Sequence, residues 1–312
     1  MREPHWRRER PAFYNLLALE REHAEAPGGL RGTPAALLSR DAAATSQSWV
    51  VELPPGWRTE HDGGGGALEL VVLRGTIEIE GRRLGGGSYL DLPRGFRGGE
   101  LRSPTGALAI AFWELSRSAE GGAGARAERI ADIPWQMTDP SGHGVMHKSL
   151  RLPDPAGGDC DGGRHGFVRL MAMASGVDAP YQHAHHECFE ELICLGGDLL
   201  LVDEGSLALG TVAAHPREWW HGPFASRSGA LVLVHTDAAM GPWPVRDYPA
   251  GDEICDAYLD ESPWDSPPEH TVWESTSWSA RQDSHEHRAW RGSPDGRAYF
   301  ERPSAHPQPA GK

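Results

Sequence analysis

No stretch of this sequence approaches the roughly 18 consecutive apolar residues of a membrane-spanning helix, so a bilayer partner is not expected. Basic residues are scarce relative to acidic ones, 30 against 44, for a formal charge of −14. That balance repels nucleic acid and anionic lipid surfaces, both of which reward a basic protein. Only four cysteines are present, Cys160, Cys188, Cys194 and Cys255. With no CxxC pair among them, neither a zinc knuckle nor a disulfide framework is indicated, and reduced thiols are expected. The first residues, MREPHWRRERPAFYNLL, are basic but lack the apolar core and small-residue cleavage site of a secretory signal. A cytoplasmic location and a small-molecule substrate are the resulting expectations. The GGGG run at residues 63–66 lacks the Lys-Ser/Thr of a phosphate loop.

Glycine (39) and proline (25) are plentiful and favour short strands joined by tight turns over long helices. One short helical segment is expected in PAFYNLLALEREHAEA, where Phe13, Leu16, Leu17 and Leu19 share a stripe and Gly28 and Gly29 would end it. From Trp49 the chain reads as strands: SWVVEL, ALELVVL, TIEIEG, SYLDLP and ALAIAFWEL. After the small, polar SRSAEGGAGARAE a second series follows: FVRLMAMA, ELICL, DLLLVDE, LALGTVAA and ALVLVHTD. Overlaid at an offset of 122 to 123 residues, Gly75 meets Gly197, Gly87 meets Gly210, Pro93 meets Pro216 and ALAIAF meets ALVLVH. A fixed offset with matching turn residues marks a duplicated unit. The expected division is a segment 1–48, a first barrel 49–130, a second barrel 131–261 and a tail 262–312. In the tail, TVWEST or AYFERP could add an edge strand, and the HEH at His285 and His287 reads as solvated.

Chemistry concentrates in residues 183–221. His183 and His185 fall on one face of an extended strand, the pair Glu190 and Glu191 heads an apolar run, and His221 follows a Pro-bearing turn. Three neutral imidazoles and one carboxylate make a divalent-metal site with open positions. Tyr181 and one of Trp219 and Trp220 could edge the same cavity, packing being the other role for the tryptophans, and His186 would face away from it. His235 could project from its strand near His221 and serve as an acid or base, or be an exposed or hydrogen-bonded strand histidine.

These residues resemble the cupin superfamily, and the duplication resembles a bicupin. Gly176, His183, His185, Glu190 and Gly197 follow the first cupin motif, with six residues where the family has five between Gly176 and His183. Gly210, Pro216 and His221 follow the second, with Glu218 in place of its glycine and Ala225 in place of its asparagine. The resemblance implies an all-β fold of two tandem cupin barrels (double-stranded β-helix, or jelly roll), with metal ligands His183, His185, Glu190 and His221. The motif spacing takes Glu190 as the carboxylate. The internal overlay sets Glu191 on Glu69 and gives the same answer if Glu69 points outward. In the first copy, His61 meets His183, but Gly63, Leu68 and Gly98 meet His185, Glu190 and His221. The first barrel is therefore read as a metal-free structural or dimer-forming partner, and an organic-ligand pocket is its alternative role.

The ligand set implies one divalent ion, Fe(II) ahead of Zn, Ni, Mn or Cu, and an oxygenase acting on a small aromatic or enolisable substrate. His235 and Tyr181 are the candidate catalytic side chains. A non-oxidative metal-dependent isomerase or decarboxylase and a non-catalytic small-molecule binder are the alternatives. A homodimer is the expected assembly.

Overall fold

The structure is a computed structural model that describes residues 6–23, 26–60, 65–96, 99–115, 125–134, 136–138, 145–151, 166–173, 178–179, 188–201, 204–219, 221, 224–226, 230–237 and 245–247. Among these residues the chain is all-β: two long antiparallel sheets of seven and eight strands, each with a four-stranded companion. Among the described residues helix is confined to two three-residue 3-10 turns, Leu16–Ala18 and Ile130–Asp132. The helical segment expected near the N-terminus is thus one short turn, preceded by the strand Ala12–Asn15. An apolar stripe at helical spacing is here a strand that buries Tyr14, followed by a turn that buries Leu16.

The two long sheets repeat one plan. In the first, Ala67–Gly75 lies between Ser88–Leu92 and Ala107–Glu114, and the latter pairs with Ser46–Leu53. In the second, Glu190–Gly197 lies between Thr211–His215 and Ala230–Thr236, and the latter pairs with Val168–Met173. Register repeats as well: Leu68 faces Leu92 and Glu69 faces Phe112, as Glu190 faces His215 and Glu191 faces His235. The overlaid glycines share a conformation that side chains resist, with φ of 79° and 72° at Gly75 and Gly197 and 73° and 77° at Gly87 and Gly210. Sequence duplication and structural duplication coincide.

The outermost strands are exchanged between the halves. Ala12–Asn15, which precedes the first sheet in sequence, pairs with Thr211–His215 of the second. Arg126–Arg129, which precedes the second, pairs with Ser88–Leu92 of the first. A 3-10 turn follows each, anchored by Leu16 N–H to Gly210 O at 2.9 Å in one case and Ile130 N–H to Gly87 O at 2.8 Å in the other. Pro34–Arg40 joins the first sheet, so the first 48 residues supply strands to both.

Strand alternation divides the apolar residues among three cores. Leu68, Leu70, Val72, Leu90, Leu92, Ala109 and Ala111 fill the first barrel, and Leu192, Cys194, Ala213, Val232 and Val234 fill the second. The alternate residues Val71, Leu73, Ile110, Phe112, Ile193, Leu195, Leu231 and Leu233 form one cluster between the barrels. Both faces of the central strands are covered, which is why they read as unbroken apolar runs. Cys188 and Cys194 are buried and outside any disulfide, and no described helix is long and apolar enough to cross a membrane.

Candidate metal centre

The interior face of Glu190–Gly197 carries Leu192 and Cys194 inward, so Glu190, two residues earlier, points the same way. Its cross-strand neighbour is His215, at the end of Thr211–His215 and on the inward face shared with Ala213. A tight turn from Pro216, closed by Trp219 N–H donating to Pro216 O at 3.1 Å, then returns the chain to His221. In that turn Glu218 has φ 64°, the left-handed conformation held in the first copy by Gly95 at 85°. Strand register and turn together bring Glu190, His215 and His221 within ligand reach of one another, their donor atoms all within 4.8 Å.

All three side chains are buried: Glu190 is 3% exposed, and His215 and His221 are each 1% exposed. His221 Nε2 lies 2.9 Å from Glu190 Oε2, and His215 Nδ1 lies 3.6 Å from the same oxygen. The two imidazoles stack with centroids 4.1 Å apart at 23°. Phe13, from the exchanged strand, meets the His215 ring edge-on at 6.1 Å, and Phe224 meets the His221 ring at 5.6 Å. Outside this trio, Glu204 Oε2 is 2.8 Å from His215 Nε2, and Glu204 Oε1 accepts the Trp219 indole N–H at 2.6 Å. Burial alone would lower the pKa of His215, but the two carboxylates, Glu190 and Glu204, outweigh it and raise it to about 9. The same attraction that holds a proton there would hold a divalent cation.

The donor set fits such an ion. Bonds of about 2.1 Å to nitrogen and oxygen place neighbouring ligand atoms about 3 Å apart, close to the two distances converging on Glu190 Oε2. Two imidazoles and one carboxylate are a borderline set suited to a transition metal.

Of the residues singled out from sequence, Glu190 and His221 are brought together here. His183, His185 and Tyr181, with His186 and Trp220, lie outside the described residues, as does the whole tail. His235 is not brought to the cluster, which corrects the expectation that it projects into the barrel. It lies opposite Glu191, whose side of the strand also carries Ile193 and Leu195 into the core between the barrels. There its Nδ1 donates to Glu191 Oε2 at 2.8 Å, Ser48 Oγ donates to the same oxygen at 2.5 Å, and the ring stacks on Phe112 at 4.3 Å. Burial would raise the pKa of Glu191, but His235, Arg8 and Ser48 together hold it below the ordinary carboxylate value. Because Phe112 is the counterpart of His235 in the first copy, equivalent positions meet across the interface. Glu69, the counterpart of Glu191, is paired there with Arg151 at 2.6 Å.

His215 escaped the reading of the sequence. Its signal was nonetheless present in the overlay: the interior pair Leu68 and Leu92 of the first copy becomes Glu190 and His215 in the second. One such replacement carries little weight, but two in register across a strand pair mark a candidate site. The apolar pair also shows why, among the described residues, the first barrel assembles no comparable cluster.

No protein-family model matches the sequence, and no curated protein does either. Solved structures share its fold. A protein of Nostoc punctiforme PCC 73102, provisionally named a dioxygenase, is 20% identical with a TM-score of 0.59, over 78% of this chain and 88% of that one. A provisionally named glyoxylate-induced protein of Pseudomonas aeruginosa is 16% identical with a TM-score of 0.56, over 74% and 90%. The protein YlbA of E. coli is 14% identical with a TM-score of 0.54, over 77% and 97%. At these identities the likeness speaks for the fold.

Proposed function

We propose, from the premise that this chain has the tandem cupin fold, that its second barrel is a mononuclear metal centre catalysing oxygenation of a small aromatic or enolisable substrate. The observation that carries this reading is the substitution in register of Glu190 and His215 for the Leu68–Leu92 pair, beside His221. Glu190 Oε2, His215 Nδ1 and His221 Nε2 would hold the ion. His183 and His185, just upstream of Cys188, are proposed to complete its shell, leaving at least one of six positions for an exogenous ligand. Imidazole and carboxylate donors accommodate iron(II), which when bound supplies Lewis acidity and one-electron chemistry toward dioxygen.

The protein's own residues do the rest. Phe13 and Phe224 meet the His215 and His221 rings at steep angles and give each an apolar neighbour. Trp219, 38% exposed beside the cluster, offers a flat apolar surface to an aromatic substrate. The provisional name of the Nostoc relative points the same way.

The test is metal analysis of protein purified without added metal, together with oxygen uptake against enolisable dicarbonyl and aromatic diol substrates. One iron per chain, lost in Glu190→Ala and in His221→Ala, with oxygen consumed in step with substrate, is the expected result. Stoichiometric zinc and no oxygen uptake with an active substrate would replace oxygenation by isomerase or decarboxylase chemistry. Ligand affinity indifferent to metal loss would make the protein a binder.

A further inference from the structure

Glu204 and Trp219 lie just outside the donor cluster, and both are committed to it. Glu204 uses each carboxylate oxygen once: Oε2 accepts from His215 Nε2 at 2.8 Å, and Oε1 accepts from Trp219 Nε1 at 2.6 Å. Its side chain is only 7% exposed. Both of its oxygens are therefore engaged by side-chain N–H groups. Trp219 acts a second time through its backbone, since its carbonyl lies 3.3 Å from His221 Nδ1.

We infer that Glu204 and Trp219 are positioning residues that set the tautomers of both imidazoles, so that His215 presents Nδ1 and His221 presents Nε2 to a divalent ion. In the metal-bound form, where the imidazole has given up its second proton to the ion, a ring nitrogen that donates its remaining proton outward leaves its partner nitrogen with a lone pair for the metal. For His215 the outward acceptor is Glu204, and the lone pair falls on Nδ1, 3.6 Å from Glu190 Oε2. That separation is too long for a hydrogen bond and suits two ligands of one ion. For His221 the outward acceptor is the Trp219 carbonyl, and Nε2 faces the same oxygen at 2.9 Å. A carboxylate or carbonyl behind a metal-bound histidine orients the ring and raises its basicity. Trp219 therefore links the two rings, one through its carbonyl and the other through Glu204. Because its indole is exposed at the edge of the cluster, a substrate lying on that ring would touch the residue that sets the ligands.

The inference rests on the metal reading above, and zinc as a diamagnetic probe separates the two. Zinc affinity is measured by competition with a chromogenic chelator for the wild-type chain, Glu204→Ala and Trp219→Phe. Nitrogen-15 spectra of histidine-labelled protein report the tautomers, with His215 assigned from a His215→Gln sample. Zinc binding weakened about 10–100-fold in Glu204→Ala, a smaller loss in Trp219→Phe, and a wild-type His215 protonated at Nε2 with zinc-shifted Nδ1 are expected. Affinity within twofold of wild type in both variants, or His215 carrying its proton on Nδ1 in the zinc form, overturns the inference and leaves the metal centre standing. A wild-type chain that binds no zinc and no iron removes both. Should Glu204→Ala fail to fold, Trp219→Phe, which removes the indole N–H and keeps an aromatic side chain, makes the same comparison.

Discussion

At the scale of single residues, alternation along one strand separates two neighbouring carboxylates into different kinds of chemistry. Glu190 turns inward to His215 and His221, whereas Glu191 turns to Ser48 and His235 between the barrels. Replacing His235 by Phe, the residue its counterpart has, should therefore spare metal stoichiometry. It should also lower stability by about 3 kcal/mol, because a buried carboxylate loses its partner; denaturant melts and metal analysis of the same sample check both halves. Glu218 holds a left-handed backbone with φ 64°, which costs a side-chain residue about 1 kcal/mol or more. Glu218→Gly should accordingly raise the denaturation midpoint with the slope unchanged. His147 is buried, and its pKa is held well below the ordinary value by that burial and by the Arg169 charge. Its contribution to stability is present in full above about pH 6.5, the unfolded value. It is lost as pH falls toward the depressed folded value, because the unfolded chain takes up a proton the folded chain refuses. Urea melts between pH 7 and pH 5 should show that slope, reduced in His147→Leu.

At the scale of elements, the exchanged strand Ala12–Asn15 covers the edge of Thr211–His215, the strand that ends in His215. It brings Phe13 against the His215 ring and buries Tyr14, while the turn after it buries Leu16. Those last two side chains account for about 3–6 kcal/mol by area removed from water. A chain truncated before Leu19 should melt lower, bind zinc more weakly and expose an unpaired strand edge that promotes association. Calorimetry, chelator competition and light scattering measure the three effects. Periodicity in the sequence identified the central strands with little error, because each is long and apolar on both faces. The N-terminal stretch misled for a specific reason: Phe13, Leu16, Leu17 and Leu19 suit a helical stripe, yet an open sheet edge and Gly210 O elsewhere in the chain satisfy their backbone better.

At the scale of the whole molecule, the two barrels share a core. Val71, Leu73, Ile110 and Phe112 of one pack with Ile193, Leu195, Leu231 and Leu233 of the other. Buried polar contacts join them as well, Glu69 with Arg151 and Ser48 with Glu191. Neither barrel can leave the other without exposing that apolar face and stranding those groups. The described chain should unfold in one cooperative transition, with calorimetric and van't Hoff enthalpies in agreement. A segment spanning 131–261 alone should be insoluble or molten. Two separate transitions would show that the interface contributes little.

The sequence by itself determined the duplication and the strand content, and it favoured Glu190 over Glu191 and singled out His221 as candidate ligands. Each of these is a local or periodic property: a recurring offset, an alternation, a motif spacing. It also held the contrast between the copies, since Leu68 against Glu190 needs only an overlay. Tertiary structure alone decided that His215 meets Glu190, that Glu204 and Trp219 stand behind the ring, and that His235 faces Phe112 across the interface. Those outcomes depend on strand register and on which barrel packs against which face. A one-residue slip in pairing would send every side chain of the strand to its other side, and no spacing along the chain states the register.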